Sequence, residues 1–396
     1  MSALQLKAGF SRFAQADPQR LHVAAHSHHP WPDVTLAAQQ QAWHDAATRM
    51  DHKWEHVFGA VLPETQTWIA RMLGLTRPAD IAIAPNTHAL VMRILSCLDP
   101  PVRILTTAGE FTSFERQVRR LSEDGLVEVR RVPVRPDATL STRLAEAAAA
   151  GGYDMLYLSH VLFETGAVID IHSVVGAVPD ERPFVVVDGY HGFMALPTDL
   201  GAVEHRAFYL AGGYKYAMAG EGVCFAHCPP GYGQRPRDTG WFADFSSLED
   251  KPTARVAYGA HGQRFLGATF DPTALYRFNA VQRWLADADV DVEAIHAHVR
   301  HLQERFVTAL AEAGVTLLDT PSPVVTPSRT GVHGHLLAFA SDRAGDVAAE
   351  LDRRGVIVDH RGSHLRVGLG VYHDDDDIDR LLDRLSGAVT GLRRHW

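Results

Sequence analysis

The chain has 396 residues, of which 46% are hydrophobic and 21% charged, a composition typical of a globular protein of about two domains. Disordered, collagen-like and coiled-coil chains are therefore excluded, and the net charge of -9 argues against nucleic-acid binding. No stretch approaches the roughly 18 consecutive apolar residues of a membrane span, and the first residues have no apolar signal core, so we expect a cytoplasmic protein that contacts no membrane.

Residues 80 to 230 alternate between short β-branched runs and longer amphipathic stretches, which indicates an α/β domain with a largely parallel sheet covered on both faces. The seven predicted strands are Ile81–Ala84, Val102–Thr106, Val127–Val132, Met155–Ser159, Phe184–Val187, Ala207–Ala211 and Val223–Ala226. The predicted helices between them are His88–Cys97, Ser113–Glu123, Leu140–Ala149 and Ile171–Ala177.

The pattern changes after residue 230, where the stretch 231–273 has little periodicity and is too long for an ordinary connection, which indicates a functional role. Helices are predicted at Ala274–Ala286 and Val292–Ala313, ahead of a smaller α+β unit. That unit has predicted strands at His335–Ala340, Val356–His360 and His364–Leu369 and a helix at Asp346–Arg354. A last helix begins in the run Asp374–Asp377, which we interpret as a solvated cap rather than a metal site.

We therefore expect three parts in the chain. Residues 1–50 form an N-terminal segment that packs with the small domain and the active site, residues 51–275 form the large domain, and residues 276–396 form the small C-terminal domain.

Lysine is rare, because only four of the 38 basic residues are lysines. Lys7, Lys53 and Lys251 lie in polar surroundings, so we expect all three on the solvated surface. Lys215 differs, because it follows a predicted strand and two glycines that let the backbone approach a ligand closely.

Three predicted strand ends carry the chemistry, because ligands of open parallel sheets bind at the carboxyl ends of the strands. Asp188 ends one strand, with His191 three residues later, and Lys215 follows the next. A third strand leads into a helix capped by Asn86 or Thr87, whose N–H groups would bind an anion. An amine, an acid and an anion site are what pyridoxal 5'-phosphate requires, since the acid keeps its ring nitrogen protonated.

These residues resemble the class V aminotransferase group of fold-type-I pyridoxal-phosphate enzymes, and within it kynureninase. The segments that carry the resemblance are PNTHALV, GEFTSFERQ, LSHVLFETGAVIDI, VVDGYHGFMALPTDL, YLAGGYKYAMAGEG, TGWF, GATFDPT and VIVDHRGSHLRVGLG. The resemblance implies a large domain with a mostly parallel seven-stranded sheet, a small α+β domain, a small amino-acid substrate, and a homodimer with active sites at the subunit interface.

The resemblance also implies roles for individual residues. Lys215 would form the Schiff base and act as the general base, Asp188 would pair with the pyridinium nitrogen, and His191 would be a second polar group beside the cofactor. Phe111 would stack on the pyridine ring. Arg366 would grip the substrate α-carboxylate, which suits a planar guanidinium on a rigid strand.

The resemblance assigns further residues to the phosphate and to the neighbouring subunit. Thr87 and His88 match the phosphate-binding turn, and Tyr214 matches a tyrosine that reaches the phosphate. Trp241 and Thr269 match segments that reach into the partner's site.

Two segments depart from the kynureninase pattern. The N-terminal VAAHSHHPWP replaces a Gly-Asn-Ser-Leu-Gly-like segment, so Ser27, His28 and His29, together with His26, could line a different substrate pocket. In HVLFETG, Leu162 replaces a polar residue that contacts the ring hydroxyl of the cofactor. The substrate and the reaction type are therefore open.

Several activities remain possible from the sequence. Kynureninase-like hydrolysis of a Cβ–Cγ bond is the closest by motif, and amino-group transfer is the main alternative. β-Elimination or desulfuration is disfavoured, because Cys224 and Cys228 look structural. A metal hydrolase built on the N-terminal histidines is a remote alternative, and a non-catalytic binding protein is disfavoured because Lys215 and Asp188 are both present.

Overall fold

The fold is built on one large and two small sheets in the computed structural model, which describes residues 6–179, 181–247, 254–313 and 333–393. The strands in chain order are β1 (Leu21–His22), β2 (Ile81–Ala84), β3 (Val102–Thr107), β4 (Val127–Val132), β5 (Met155–Ser159), β6 (Phe184–Asp188), β7 (Ala207–Gly212), β8 (Cys224–His227), β9 (Leu336–Ala340), β10 (Val356–Ile357), β11 (Asp359–Arg361) and β12 (His364–Gly368).

The large sheet has seven strands in the spatial order β2-β8-β7-β6-β5-β3-β4. The five strands from β7 to β4 are parallel to one another, and β8 runs antiparallel to both β7 and β2. Every residue of β2, β5, β7 and β8 is buried, as expected for strands covered on both faces. The predicted mostly parallel seven-stranded sheet is confirmed, and each predicted strand lies within one residue of its observed ends.

Helices cover both faces of this sheet and connect it to the smaller unit. They are α1 (Ser11–Ala16), α2 (Val34–Arg49), α3 (Lys53–His56), α4 (Leu62–Met72), α5 (Thr87–Leu95), α6 (Thr112–Glu123), α7 (Leu140–Ala149), α8 (Ile171–Gly176), α9 (Thr273–Asp287), α10 (Val292–Glu312), α11 (Ala344–Arg353) and α12 (Asp375–Arg393). The described part of the long 231–273 stretch contains two short 3-10 helices, Trp241–Ser247 and His261–Phe265. No helix among the described residues has the length and apolar character needed to cross a membrane.

The smaller unit contains the antiparallel sheet β11-β12-β9 and the parallel pair β1-β10. The single strand predicted at Val356–His360 is wrong in one respect: it is divided into β10 and β11. The physical reason is a change of partner, because β10 pairs with β1 of the N-terminal segment while β11 pairs with β12. The N-terminal segment therefore supplies a strand to this unit.

Lys7 is exposed, as expected, and it also forms two ion pairs. Its Nζ lies 2.7 Å from Asp374 and 2.8 Å from Asp377, and the side chain is 44% exposed. The acidic run thus caps α12 and also anchors the first described residues. Lys53 is half-buried beside Trp54, and Lys251 lies outside the described residues.

Candidate active site

A cavity of about 350 Å³ opens at the carboxyl ends of the large sheet and is lined by most of the predicted site residues. Seven of them meet there: Thr87, His88, Phe111, Asp188, His191, Tyr214 and Lys215. A larger cleft of about 640 Å³ between α4 and the start of α10 contains none of these residues. Because the smaller cavity holds the converging titratable groups, it is the candidate active site.

The sheet register explains why these side chains converge. Asp188 is the last residue of β6, and its partner in the adjacent strand β7 is Leu210. Lys215 follows β7 after a tight turn at Gly212 and Gly213. A Cβ added to Gly212 would lie 2.4 Å from both the Tyr190 hydroxyl and the Cys224 sulfur, so glycine is required for this close packing.

Asp188 faces the cavity with both carboxylate oxygens hydrogen-bonded from behind. The Tyr190 backbone N–H donates to Oδ1 at 3.0 Å, and the Tyr157 hydroxyl donates to Oδ2 at 3.1 Å. Burial raises the pKa of Asp188, while these two hydrogen bonds and the charge of Lys215 lower it. A carboxylate held in this way can accept a further hydrogen bond from a cationic N–H in the cavity.

Lys215 is paired with His191 inside the protein. The distance from Nζ of Lys215 to Nε2 of His191 is 2.7 Å, and both side chains are buried. Burial lowers the pKa of Lys215 to about 7, with Arg366 adding to the effect and Asp188 opposing it. Burial and the neighbouring lysine hold the pKa of His191 well below its ordinary value. The lysine therefore has a substantial neutral population near neutral pH, as a nucleophile or base requires.

Phe111 forms an aromatic wall of the cavity together with Phe163, a residue that sequence reasoning missed. Their ring centroids are 5.5 Å apart and the rings are perpendicular. The Lys215 Nζ lies 5.7 Å from the centroid of Phe111. A flat ring entering the cavity would thus meet an aromatic face close to the lysine amine.

The predicted anion site lies on the cavity wall, at the start of α5. The sequence left the cap open between two residues, and the structure identifies Asn86, whose Oδ1 accepts from Ala89 N at 2.9 Å. Thr87 and His88 follow as the first helical residues and line the cavity with Tyr214. The free N–H groups of this nine-residue helix suit a phosphate.

Six predicted site residues lie outside this cavity: Arg366, Trp241, Thr269, Ser27, His28 and His29. Arg366 is 3% exposed and lies behind Phe163, whose carbonyl accepts from its Nη1; its Nη2 pairs with Asp359. Trp241 and Thr269 are hydrogen-bonded to each other at 2.9 Å, and the tryptophan is 43% exposed. Within a single chain, these last two residues do not reach the site.

The N-terminal histidines do not line the cavity. His29 is buried, its Nδ1 donates to the Pro30 carbonyl at 2.9 Å, and its ring packs edge-on against Tyr372. His28 is exposed, with its ring centroid 5.4 Å from that of Tyr214, and Ser27 lies beside it. The structure thus gives His29 a packing environment rather than a place in the cavity.

Leu162 is buried beside Gly109 and does not line the cavity, whereas its neighbours Val161 and Phe163 do. A polar residue that the sequence interpretation missed lines the wall instead, namely Ser159 at the end of β5. Its hydroxyl donates to the buried carboxyl group of Glu110 at 2.6 Å. Burial raises the pKa of Glu110 to about 7. A serine at a strand end next to Asp188 is the sequence signal that could have identified it.

The arrangement fits pyridoxal 5'-phosphate in the chemistry of its donors. The cavity wall offers helix N–H groups for a phosphate, a carboxylate for a ring nitrogen, an amine and an aromatic face. By contrast, no group of three or more His, Cys, Asp or Glu side chains placed to hold a metal ion occurs within residues 6–179, 181–247, 254–313 and 333–393.

Comparison with known proteins gives one family and several relatives. The family model described as aminotransferase class V matches residues 21–381. Isopenicillin N epimerase of Streptomyces clavuligerus is 30% identical over 88% of this chain and 89% of its own length. A probable cysteine desulfurase of Vibrio cholerae is 24% identical over 59% of this chain and 57% of its own.

Solved structures share the fold at lower identity. A cystine C-S lyase in complex with cysteine persulfide gives a TM-score of 0.80 at 19% identity, over 95% of this chain and 99% of that one. A cysteine desulfurase of Thermococcus onnurineus gives 0.81 at 16% identity, over 99% of both chains.

Proposed function

Because the chain belongs to the class V aminotransferase family and is a pyridoxal-phosphate-dependent enzyme, we propose that it removes the α-proton of a small amino acid and returns it, as an epimerase or racemase does. The observation that carries the proposal is the buried pair of Lys215 and His191, 2.7 Å apart in the cavity. An amine kept partly neutral beside a proton acceptor is suited to moving one proton in both directions.

Particular residues would hold the cofactor. Thr87, His88 and the start of α5 would bind its phosphate, Asp188 its ring nitrogen, and Phe111 one face of its ring. When bound, pyridoxal phosphate supplies an aldehyde that reacts with amines and a ring that withdraws electrons from the substrate α-carbon. Lys215 would be attached to the cofactor in the resting enzyme.

Lys215 and His191 would act on the α-proton, and Asp188 would act on the cofactor ring. The amine of Lys215, freed by the substrate amine, takes the α-proton and can give it back. Its neighbour His191 accepts a hydrogen bond from an N–H of this amine and so orients the lone pair of the amine. Asp188, held by hydrogen bonds from the Tyr157 hydroxyl and the Tyr190 backbone N–H, would accept a hydrogen bond from the protonated ring nitrogen.

Arg366 is the proposed partner of the substrate carboxylate. It lies on β12 directly behind the aromatic wall, and its charge contributes to the lowered pKa of Lys215. A fixed guanidinium forms bidentate pairs with carboxylates, which orients the α-carbon toward the base.

Desulfuration is disfavoured by the state of the thiols. The sequence has three cysteines, and burial raises the pKa of each to about 12. A desulfurase requires a reactive thiolate that can reach the substrate. Cys224 lines the cavity but is buried on a sheet strand, so it lacks the freedom to carry sulfur away.

Epimerisation is favoured over hydrolysis by the relative that matches nearly nine-tenths of both chains, which is named an epimerase. A second candidate is kynureninase-like cleavage of a Cβ–Cγ bond, which rests on the sequence motifs around Phe111, Lys215 and Arg366. Amino-group transfer uses the same first proton transfer and differs only in where the proton is returned.

We also propose a homodimer in which Trp241 and Thr269 approach the partner's site. The support is an exposed tryptophan, hydrogen-bonded to the threonine and stacked on Phe242, at the surface of an aromatic cluster. Large exposed aromatic side chains are enriched in protein interfaces. Sedimentation of the wild type and of Trp241→Ala tests this; a monomeric wild type contradicts it.

The test of function is incubation with single amino acids in D2O, followed by NMR and chiral chromatography. We expect α-deuterium incorporation with loss of optical purity in the wild type and neither change in Lys215→Ala. Release of alanine from kynurenine would replace epimerisation by the second candidate, and keto-acid formation would indicate transamination. Absence of α-exchange with every amino acid would overturn the proposal.

A further inference from the structure

His26 lies between the two groups that the proposed function uses. It is 1% exposed and belongs to the N-terminal segment, beside the backbone of β12. A Cβ added to Gly368 on that strand would lie 2.1 Å from the Nδ1 of His26. The absence of a side chain at Gly368 therefore makes the space that this imidazole fills.

One side of the His26 ring faces the counter-ion of Arg366. Its Nε2 lies 3.5 Å from Oδ2 of Asp359, and the same oxygen pairs with Nη2 of Arg366. Although burial raises it, the pKa of Asp359 is held below its ordinary value by the imidazole and the guanidinium. The carboxylate thus lies between the guanidinium, which pairs with it, and the imidazole, which stands within ion-pair distance of it.

The guanidinium of Arg366 has one position still open. Nη1 donates to the Phe163 carbonyl and Nη2 pairs with Asp359, while Nε is buried without a hydrogen-bond partner in the described structure. A buried donor without a partner is costly unless a ligand completes it. Asp359 and Phe163 therefore fix the plane of the guanidinium and leave Nε as the nitrogen without a partner, available to an incoming carboxylate.

The backbone of His26 meets the other part of the site. The His191 ring is hydrogen-bonded to the backbone of His26, and its Nε2 faces the amine of Lys215. A ring nitrogen that donates to a carbonyl carries the proton, which leaves the nitrogen facing Lys215 as the acceptor. One residue thus contacts the partner of the base through its backbone and the counter-ion of the carboxylate-binding arginine through its side chain.

We propose that His26 is a positioning residue that, through Asp359, holds Arg366 in the orientation that binds the substrate carboxylate. The inference rests on the proposed function and extends it to the N-terminal segment, whose neighbouring histidines do not line the cavity. Loss of the imidazole leaves Asp359 free to turn with the guanidinium, so carboxylate binding weakens. The proton transfer at Lys215 keeps its own partner, His191, and changes little.

The probe is 2-methylalanine, which has an amine and a carboxylate but no α-proton, so its binding is measured without proton transfer. We expect His26→Ala holoenzyme to bind it about tenfold more weakly than the wild type, by titration of the cofactor absorbance. The KM of a reactive amino acid should rise by a similar factor, with kcat within about twofold. His26→Asn should recover much of the affinity, because its amide can donate to Asp359.

The matched control is His298→Ala, which removes a buried histidine that bonds the His373 carbonyl away from this cluster. It should leave the affinity for 2-methylalanine unchanged. The double variant His26→Ala/Asp359→Asn should be no weaker than the more affected single variant, because both act on one contact. Full additivity, or wild-type affinity in His26→Ala, would overturn the inference.

The two proposals fail in distinguishable ways. If no amino acid changes the absorbance of the wild-type holoenzyme, the proposed function is wrong. If the wild type binds and His26→Ala and His26→Asn bind equally well, only the role of His26 is wrong. Should His26→Ala not fold, His26→Asn and Asp359→Asn carry the same comparison.

Discussion

The hydrogen bond from Tyr157 to Asp188 should be the most pH-sensitive contact of the site. Tyr157 is buried, and its hydroxyl lies 3.1 Å from Oδ2 of Asp188. Its ring stacks on that of Phe114, with the two ring centroids 3.6 Å apart. Tyr157→Phe keeps the stacking and removes one of the two donors behind Asp188. A hydrogen bond to a charged group contributes about 1.5–3 kcal/mol to stability, so we expect a loss of that size in the free energy of unfolding at about pH 8.

The pKa of Asp188 determines whether the stability lost in Tyr157→Phe rises or falls with pH. Burial already raises the pKa of Asp188 above its ordinary 3.8, and losing a donor that favours the charged form raises it further. An acid with a raised folded-state pKa contributes stability at low pH that is lost as pH rises through that pKa. The stability lost in Tyr157→Phe therefore grows with pH. It rises from about 1 kcal/mol, for a hydrogen bond to a neutral carboxyl group, toward about 1.5–3 kcal/mol for one to a carboxylate.

The assay is urea unfolding of cofactor-free protein by circular dichroism at about pH 5 and pH 8. The matched control is Tyr153→Phe, since Tyr153 is also buried but donates to a neutral carbonyl, Ala148 O, at 3.0 Å. We expect its deficit to stay near 1 kcal/mol at both pH values. Equal, pH-independent deficits in the two variants would refute the reasoning.

Three further changes test other parts of the account. Glu110→Gln should make the free energy of unfolding less dependent on pH. The pKa of Glu110 is raised from 4.5 to about 7, so its contribution to stability is present at acid pH and lost as pH rises through 7. Urea unfolding midpoints across that pH range check this. Phe111→Ala should weaken cofactor binding about tenfold in equilibrium dialysis, since a stacked aromatic face is lost; an unchanged Kd contradicts the stacking role. Lys7→Met should lower the free energy of unfolding by about 0.5–1 kcal/mol, because the ion pairs with Asp374 and Asp377 are partly exposed. This loss should shrink in high salt. A loss that does not depend on salt would indicate that packing, not charge, is responsible.

The large sheet and the centre of the site could be predicted because their signals are local. Buried parallel strands appear as continuous apolar runs, and Asp188 and Lys215 stand directly at the ends of two of them. The direction of the chain then places both at one edge of the sheet. The same logic gave Thr87 and His88 at the start of α5.

The surroundings of Arg366 could not be predicted, because they depend on contacts between distant parts of the chain. The sequence predicts Val356–His360 as one strand, and only the pairing of β10 with β1 and of β11 with β12 divides it and places Asp359 opposite Arg366. Equally, nothing local distinguishes His26, which meets Asp359, from His29, which packs on Tyr372. Adjacent histidines in an irregular segment take their environments from tertiary packing.

The most direct test of the central claim is borohydride reduction of the purified holoenzyme, followed by peptide mass spectrometry. The account predicts that the visible absorbance of the wild type bleaches and that the pyridoxyl group is found on the peptide containing Lys215, while Lys215→Ala binds the cofactor without a covalent link. A label on another residue, or a wild type that takes up no pyridoxal phosphate, would contradict it.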